Sequence, residues 1–322
     1  MAGSGDHIKA LVRSHASGDD ASFYAVATQI AAQEARRGHT RLANDLKLTI
    51  EASRREPITR RATPIARPTG ELADLLTASF PEVGIRDLIG PEDLLDLVRE
   101  VIAEQRQRNL LTQKGFSPIH RLLLEGPPGT GKTLTAQVLA HELSLPLLTV
   151  RLDSLMSKFL GETASKLRLL FDAASEQRAV YLFDEFDALG GERTGNDVGE
   201  ARRILNSFLV FLEQASPQSI IVAATNHRTI LDHALFRRFD MVIAYALPDA
   251  KAAAAVMRAR LGPLGKGIRW PAVTEHAVGL SHADLVKAAE TAAKQSVMRH
   301  EALVTAKALS AALDARVAAN VG

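Results

Sequence analysis

Gly126-Pro127-Pro128-Gly129-Thr130-Gly131-Lys132-Thr133 decides the fold of this 322-residue chain. The apolar run Arg121–Leu124 leads into it, and a helical pattern begins near Lys132. GxxxxGK[ST] in that strand–loop–helix setting reads as a phosphate-binding loop. Its glycines let the backbone wrap an anion with N–H groups pointing inward. The positive end of the following helix faces the same anion. Lys132 is placed to reach the β- and γ-phosphates of a nucleoside triphosphate, and Thr133 offers a hydroxyl to Mg²⁺. A chance glycine-rich turn does not supply the whole octapeptide with both flanks.

About fifty residues downstream, Ala179-Val180-Tyr181-Leu182-Phe183 reads as a buried strand ending at Asp184 and Glu185. Ligands of parallel sheets bind beyond the carboxyl ends of the strands. Asp184 is therefore the candidate to hold Mg²⁺ through water, and Glu185 the candidate to polarise an attacking water. The alternative, a solvated strand end, does not account for the phosphate loop upstream.

Outward from these two segments, β-type runs at 121–124, 147–152, 180–183, 219–223 and 241–244 alternate with helical patterns. That alternation predicts an α/β fold, a parallel sheet covered on both faces by helices. After Asp249 the β-type runs stop and Ala-rich helical segments follow at 251–261, 283–300 and 305–320, a small helical lid domain. Before the sheet, three runs at 7–15, 21–37 and 41–53, broken at Gly18 and Gly38, suggest a three-helix bundle. Pro57, Pro64 and Pro68, with five arginines, read as an extended linker whose charges are a solvated run. The expected divisions are an N-terminal recruitment domain at 1–56, a linker at 57–70, an ATPase domain at 71–248 and the lid at 249–322.

Composition narrows the function. A net charge of +2 gives no bulk attraction to nucleic acid or anionic lipid. With no cysteine, disulfides, thiolate metal sites and Cys nucleophiles are excluded. No apolar run approaches the ~20 residues of a membrane span, and the first twenty residues lack the apolar core of a signal peptide. A cytoplasmic protein is expected.

The chain resembles the AAA family of ATPases from about Ile85 to Met298. GPPGTGKT is that family's form of the phosphate loop, and Phe183-Asp184-Glu185-Phe186-Asp187-Ala188 looks like its acidic strand end. The resemblance implies ATP and Mg²⁺ as cofactors. It assigns nucleotide contacts to Gly126, Pro127, Pro128, Gly129, Thr130, Gly131, Lys132, Thr133 and Leu134, and to Gly90 in Ile85–Gly90, which resembles the segment that cups adenine. Ser219–Asn226 is similar to the sensor strand, with Asn226 orienting water near the γ-phosphate. Leu231–Asp240 resembles the segment carrying arginine fingers, Arg237 and Arg238, which complete a neighbouring subunit's site. Which arginine dominates stays open at this point. No Pro-Gly separates them, so the pattern sits nearer the katanin-like members than the membrane-bound proteases. Gly279-Leu280-Ser281-His282-Ala283-Asp284-Leu285 resembles the lid motif, with His282 in place of a small residue.

Lys158-Phe159-Leu160-Gly161-Glu162 looks like the family's pore loop, in which Phe159 grips unfolded polypeptide. A core position for Phe159 is the alternative reading. No HExxH motif is present, so a peptidase would be a separate polypeptide. The leading expectation is an ATP-driven protein remodeller working as a homo-hexamer, with the N-terminal domain docking a partner. A nucleic-acid remodeller such as a helicase loader, and a non-cycling scaffold, are the other classes. Near-neutral charge and the lack of a DNA-reading module count against the first of these. Intact Glu185, Asn226 and Arg238 count against the second.

Overall fold

A computed structural model describes residues 9, 20–55, 68, 70–156, 160–189, 197–226 and 236–321. The chain divides into two compact units, 1–64 and 65–322. In the first, helices α1 (Asp20–Arg36) and α2 (Thr40–Arg55) form a hairpin turned at Gly38, whose φ of 87° suits glycine. The third helix expected at 7–15 lies outside the described residues.

The second unit holds a six-stranded sheet. Its strands are β1 (Leu76–Ser79), β2 (Arg121–Glu125), β3 (Leu147–Val150), β4 (Val180–Phe183), β5 (Ile220–Thr225) and β6 (Met241–Ala244), in the order β1-β3-β4-β5-β2-β6. Five strands run parallel, as the alternation of runs predicts. The exception is β1, which pairs antiparallel with β3. It continues directly from the short helix α3 (Glu71–Leu75), and Leu-Thr-Ala-Ser is too short and too weakly apolar to announce itself. The run ascribed to 147–152 also ends early, because Leu152 opens the short helix α7 (Leu152–Leu155).

Buried side chains alternate across the sheet. Leu123, Leu148, Tyr181, Phe183 and Ile221 face one way, onto α8 (Leu160–Glu176) and α9 (Asp197–Glu213). There Phe171, Phe183, Phe186 and Phe208 make a connected aromatic cluster, Phe183 lying edge-on to Phe208 at 5.0 Å. Leu122, Leu124, Val180, Leu182 and Val222 face the other way, onto α4 (Glu92–Arg106) and α6 (Lys132–Glu142). With both faces covered, β4 and β5 are buried along their whole length. That is why they read as unbroken apolar runs.

The lid packs α10 (Ala250–Leu261), α11 (Trp270–Thr274), α12 (His282–Met298) and α13 (Ala306–Val321) around Met257, Leu285, Leu309 and Leu313. Asp249 caps α10 by accepting from the Ala252 amide at 2.7 Å. Ser281 and Asp284 form a reciprocal capping box that starts α12. Among the described residues, no helix is long and apolar enough to cross a membrane.

Candidate nucleotide site

The phosphate loop leaves the sheet where β2 ends. The Gly126 amide donates to the Thr225 carbonyl at 3.2 Å, level with the end of β5. At Gly126 φ is 145°, and an added Cβ would lie 2.3 Å from the Tyr245 carbonyl oxygen, so a side chain has no room. The Thr130 hydroxyl donates to the Pro127 carbonyl at 2.8 Å and tightens the loop. Thr135, on the first turns of α6, sits 2.6 Å from the Tyr245 hydroxyl and ties that helix to the chain leaving β6. Lys132 is buried, and its Nζ donates to the carbonyls of Gly126 and Pro127 at 2.7 and 2.8 Å. Burial lowers its pKa, and Asp184 and Asp187 act against that shift.

Strand order brings the remaining polar groups to the same end of the sheet. β5 lies between β2 and β4, so Asn226 stands between the phosphate loop and the acids. The Asn226 amide donates to Asp187 Oδ1 at 3.2 Å, which ties the ends of β5 and β4 together. The Thr133 hydroxyl donates to Asp184 Oδ2 at 2.7 Å, bridging α6 and β4. Asp184 Oδ1 accepts from the Glu185 amide at 3.0 Å. Glu185 is exposed at an open cleft shared with Arg151, Asp153 and Met156, and its φ is 52°. A left-handed backbone is uncommon for glutamate and costs on the order of 1 kcal/mol. The turn that follows, closed by the Ala188 amide on the Glu185 carbonyl at 2.8 Å, drops Phe186 into the core.

The lid reaches the loop directly. The Ala283 amide donates to the Gly129 carbonyl at 3.0 Å, and a Cβ on Gly129 would meet Ser281 Oγ at 2.7 Å. The segment 85–90 closes the third side. Leu88 lies 3.8 Å from where a Cβ on Gly131 would stand, and Ile89 packs against the lid core. Gly90 is half-buried beside Leu94. His282 is half-buried at this seam beside the Ile89 backbone, and neither ring nitrogen makes a well-formed hydrogen bond. Burial lowers its pKa, partly offset by the Ile89 backbone.

Arg237 and Arg238, expected to serve a neighbouring subunit's site, lie away from this one. They precede β6, and the Asp240 amide donates to the Arg121 carbonyl at the start of β2. The phosphate loop begins at the other end of β2, five residues or roughly 16 Å away. Arg238 instead pairs with Glu213 at 2.7 Å. Phe159, Lys158 and residues 231–235 lie outside the described residues.

Sequence reading missed what ties these segments together. Tyr245, Ser281 and Glu213 reach their partners across 110, 152 and 25 residues, and pairing at such separations leaves no local signal. The Ser281–Asp284 capping box went unread as well, although its SxxD spacing is a local helix-start signal.

The donor set suits a magnesium triphosphate. A hydroxyl and a carboxylate beside a glycine loop are hard oxygen donors, and Mg²⁺ takes one or two of these along with phosphates and water. A phosphate loop on one strand, two acids on another and a helical lid against the loop define a P-loop nucleoside triphosphatase. Comparison with known proteins narrows that class. The family profile "ATPase family associated with various cellular activities (AAA)" matches residues 122–247. The AAA family ATPase y4kL of Sinorhizobium fredii is 38% identical over 251 residues, covering 76% of this chain and 75% of that protein. The proteasome-activating nucleotidase of Pyrococcus horikoshii is 33% identical, covering 73% of this chain and 61% of its own length. An ATP-dependent zinc metalloprotease FtsH of Phytoplasma mali is 35% identical, but only 40% of it is covered. Among solved structures, the FIGL-1 AAA domain superposes with a TM-score of 0.60 at 25% identity, covering 77% of this chain and 90% of that one. The chain belongs to the AAA family of ATPases, and it hydrolyses ATP with Mg²⁺ as its cofactor.

Proposed function

We propose that this chain is the motor of an ATP-driven protein remodeller that works as a homo-hexameric ring. One observation carries the reading. Arg237 and Arg238 sit at the far end of β2 from their own phosphate loop, so any contact they make with ATP is with a neighbour's. The names of two relatives, a proteasome-activating nucleotidase and a metalloprotease, favour polypeptide as the substrate and a protease as the partner.

In this reading Lys132 neutralises charge on the β- and γ-phosphates, and Asn226 and Glu185 position the water that attacks the γ-phosphorus. The phosphorus–oxygen bond to ADP breaks, and Glu185 takes up the water's proton. Thr133 and Asp184 would hold Mg²⁺, which would supply charge neutralisation when bound. Pro127, Pro128, Gly129, Thr130, Gly131, Leu134 and Gly90 line the nucleotide. Phe159 grips polypeptide in the pore, and residues 1–56, joined by the linker 57–70, recruit a partner in the cytoplasm.

The test is ATPase rate with an unfolded protein and with DNA added in turn. Stimulation by the unfolded protein alone supports remodelling of polypeptide. Stimulation by DNA alone rejects it in favour of a nucleic-acid remodeller, and no turnover at all rejects the motor.

A further inference from the structure

The two arginines are unequal in their surroundings. The short segment that bears them is pinned on both sides. Phe236 packs against the aromatic core, Phe239 is buried in it, and Asp240 is fastened to β2. Asp240 Oδ2 accepts the amides of His120 and Arg121 at 3.0 and 2.9 Å, and Oδ1 accepts the Arg121 guanidinium. These anchors hold the backbone on either side of Arg237 and Arg238. Arg238 turns inward to Glu213, the last residue of α9, with Nη1 2.7 Å from Oε2. Arg237 is exposed and makes no ion pair or hydrogen bond among the described residues.

We propose that the pair divides its work, Arg237 alone meeting the neighbour's ATP while Glu213 holds Arg238 as the positioning residue beside it. The proposal rests on the ring reading above. The Glu213–Arg238 pair is half-exposed, so it contributes little to stability, but it occupies the guanidinium a phosphate would need. It also ties the arginine segment to the C-terminal end of α9. A planar guanidinium is the group suited to charge developing on a transferring phosphoryl. A lysine satisfies Glu213 as a point charge, but it does not replace that fork.

The experiment compares kcat, KM and ATP-dependent assembly for Arg237→Ala, Arg237→Lys, Arg238→Ala, Arg238→Lys and Glu213→Gln. Arg237→Ala and Arg237→Lys both lose kcat by roughly a thousandfold or more, the low end of what an arginine finger supplies, with KM little changed. Arg238→Ala and Glu213→Gln each lose about tenfold, their combination loses no more than either alone, and Arg238→Lys recovers most of the loss. Recovery by Arg237→Lys but not by Arg238→Lys overturns the division, as does an additive Glu213→Gln/Arg238→Ala double variant. Mixing Lys132→Ala subunits with Arg237→Ala subunits separates this from the ring itself. Partial recovery on mixing shows that the finger acts in trans whichever arginine ranks first. No recovery, with every arginine variant at full rate, removes the ring reading and the division together.

Discussion

In the proposed mechanism, Lys132 serves binding and Glu185 serves turnover. Lys132→Ala is expected to abolish ATP binding, because the ammonium sits among the carbonyls at the base of the loop. Glu185→Gln is expected to bind ATP and turn it over about a hundredfold or more slowly. Fluorescent-nucleotide binding beside a phosphate-release assay separates the two. Normal release by Glu185→Gln would remove Glu185 from the water-activating role. The backbone at Glu185 makes a second prediction. Its left-handed φ costs on the order of 1 kcal/mol, against about 0.5–1 kcal/mol of extra chain entropy for glycine. Glu185→Gly should therefore melt no lower than Glu185→Gln, although both are inactive. A clear drop for the glycine variant alone contradicts the strained turn.

Asp240 gives a pH signature at the same scale. Burial acts to raise its pKa, but hydrogen bonds from His120 and Arg121 outweigh it and hold the carboxyl well below the usual carboxylate range. A depressed folded pKa contributes stability that is present above the unfolded value, about 3.9, and is lost as pH falls toward the folded one. Asp240→Asn is expected to cost about 1.5 kcal/mol at pH 5, the scale of hydrogen bonds to a charged group. The gap from the unaltered protein should narrow by pH 3. Melting curves at the two pH values decide it, and a gap that widens on acidification is the contrary result.

Among the elements, legibility in the sequence followed burial and local pattern. β2, β4 and β5 were readable because both faces are covered and their central residues form unbroken apolar runs. α12 was readable from its Ala-rich run, and Ser281-His282-Ala283-Asp284 carries its own start signal. The antiparallel β1 was not readable, because four residues on a sheet edge carry no periodicity worth the name. The phosphate loop was legible as eight consecutive residues. Its fastening was not, since Tyr245 and Ser281 reach Gly126 and Gly129 from distant segments. Ser281→Ala, which removes the side-chain cap of α12, should lower lid stability by about 1 kcal/mol. Hydrogen exchange across α12 is the direct readout. Unchanged protection there means the capping box is not what starts the helix.

For the whole molecule, the proposed nucleotide-binding residues, from Gly90 to Asn226, all lie within the unit 65–322, and in the proposed ring the arginines that finish the site come from a neighbouring copy. Deleting residues 1–56 should leave basal ATPase nearly intact while removing partner binding, and a collapse of basal rate would place that segment in the ATPase core. Phe159→Ala should spare melting temperature and ATPase but stop polypeptide processing. A loss near the 3–5 kcal/mol of truncating a buried Phe would favour the core reading instead.

The central claim is that the ATP site is finished between subunits. The most direct measurement is specific ATPase activity against protein concentration, with sedimentation of Glu185→Gln run beside it with and without ATP and Mg²⁺. The account predicts activity per subunit that rises cooperatively with concentration, and ATP-dependent assembly to a hexamer. Full activity per subunit from a protein that stays monomeric at every concentration contradicts it.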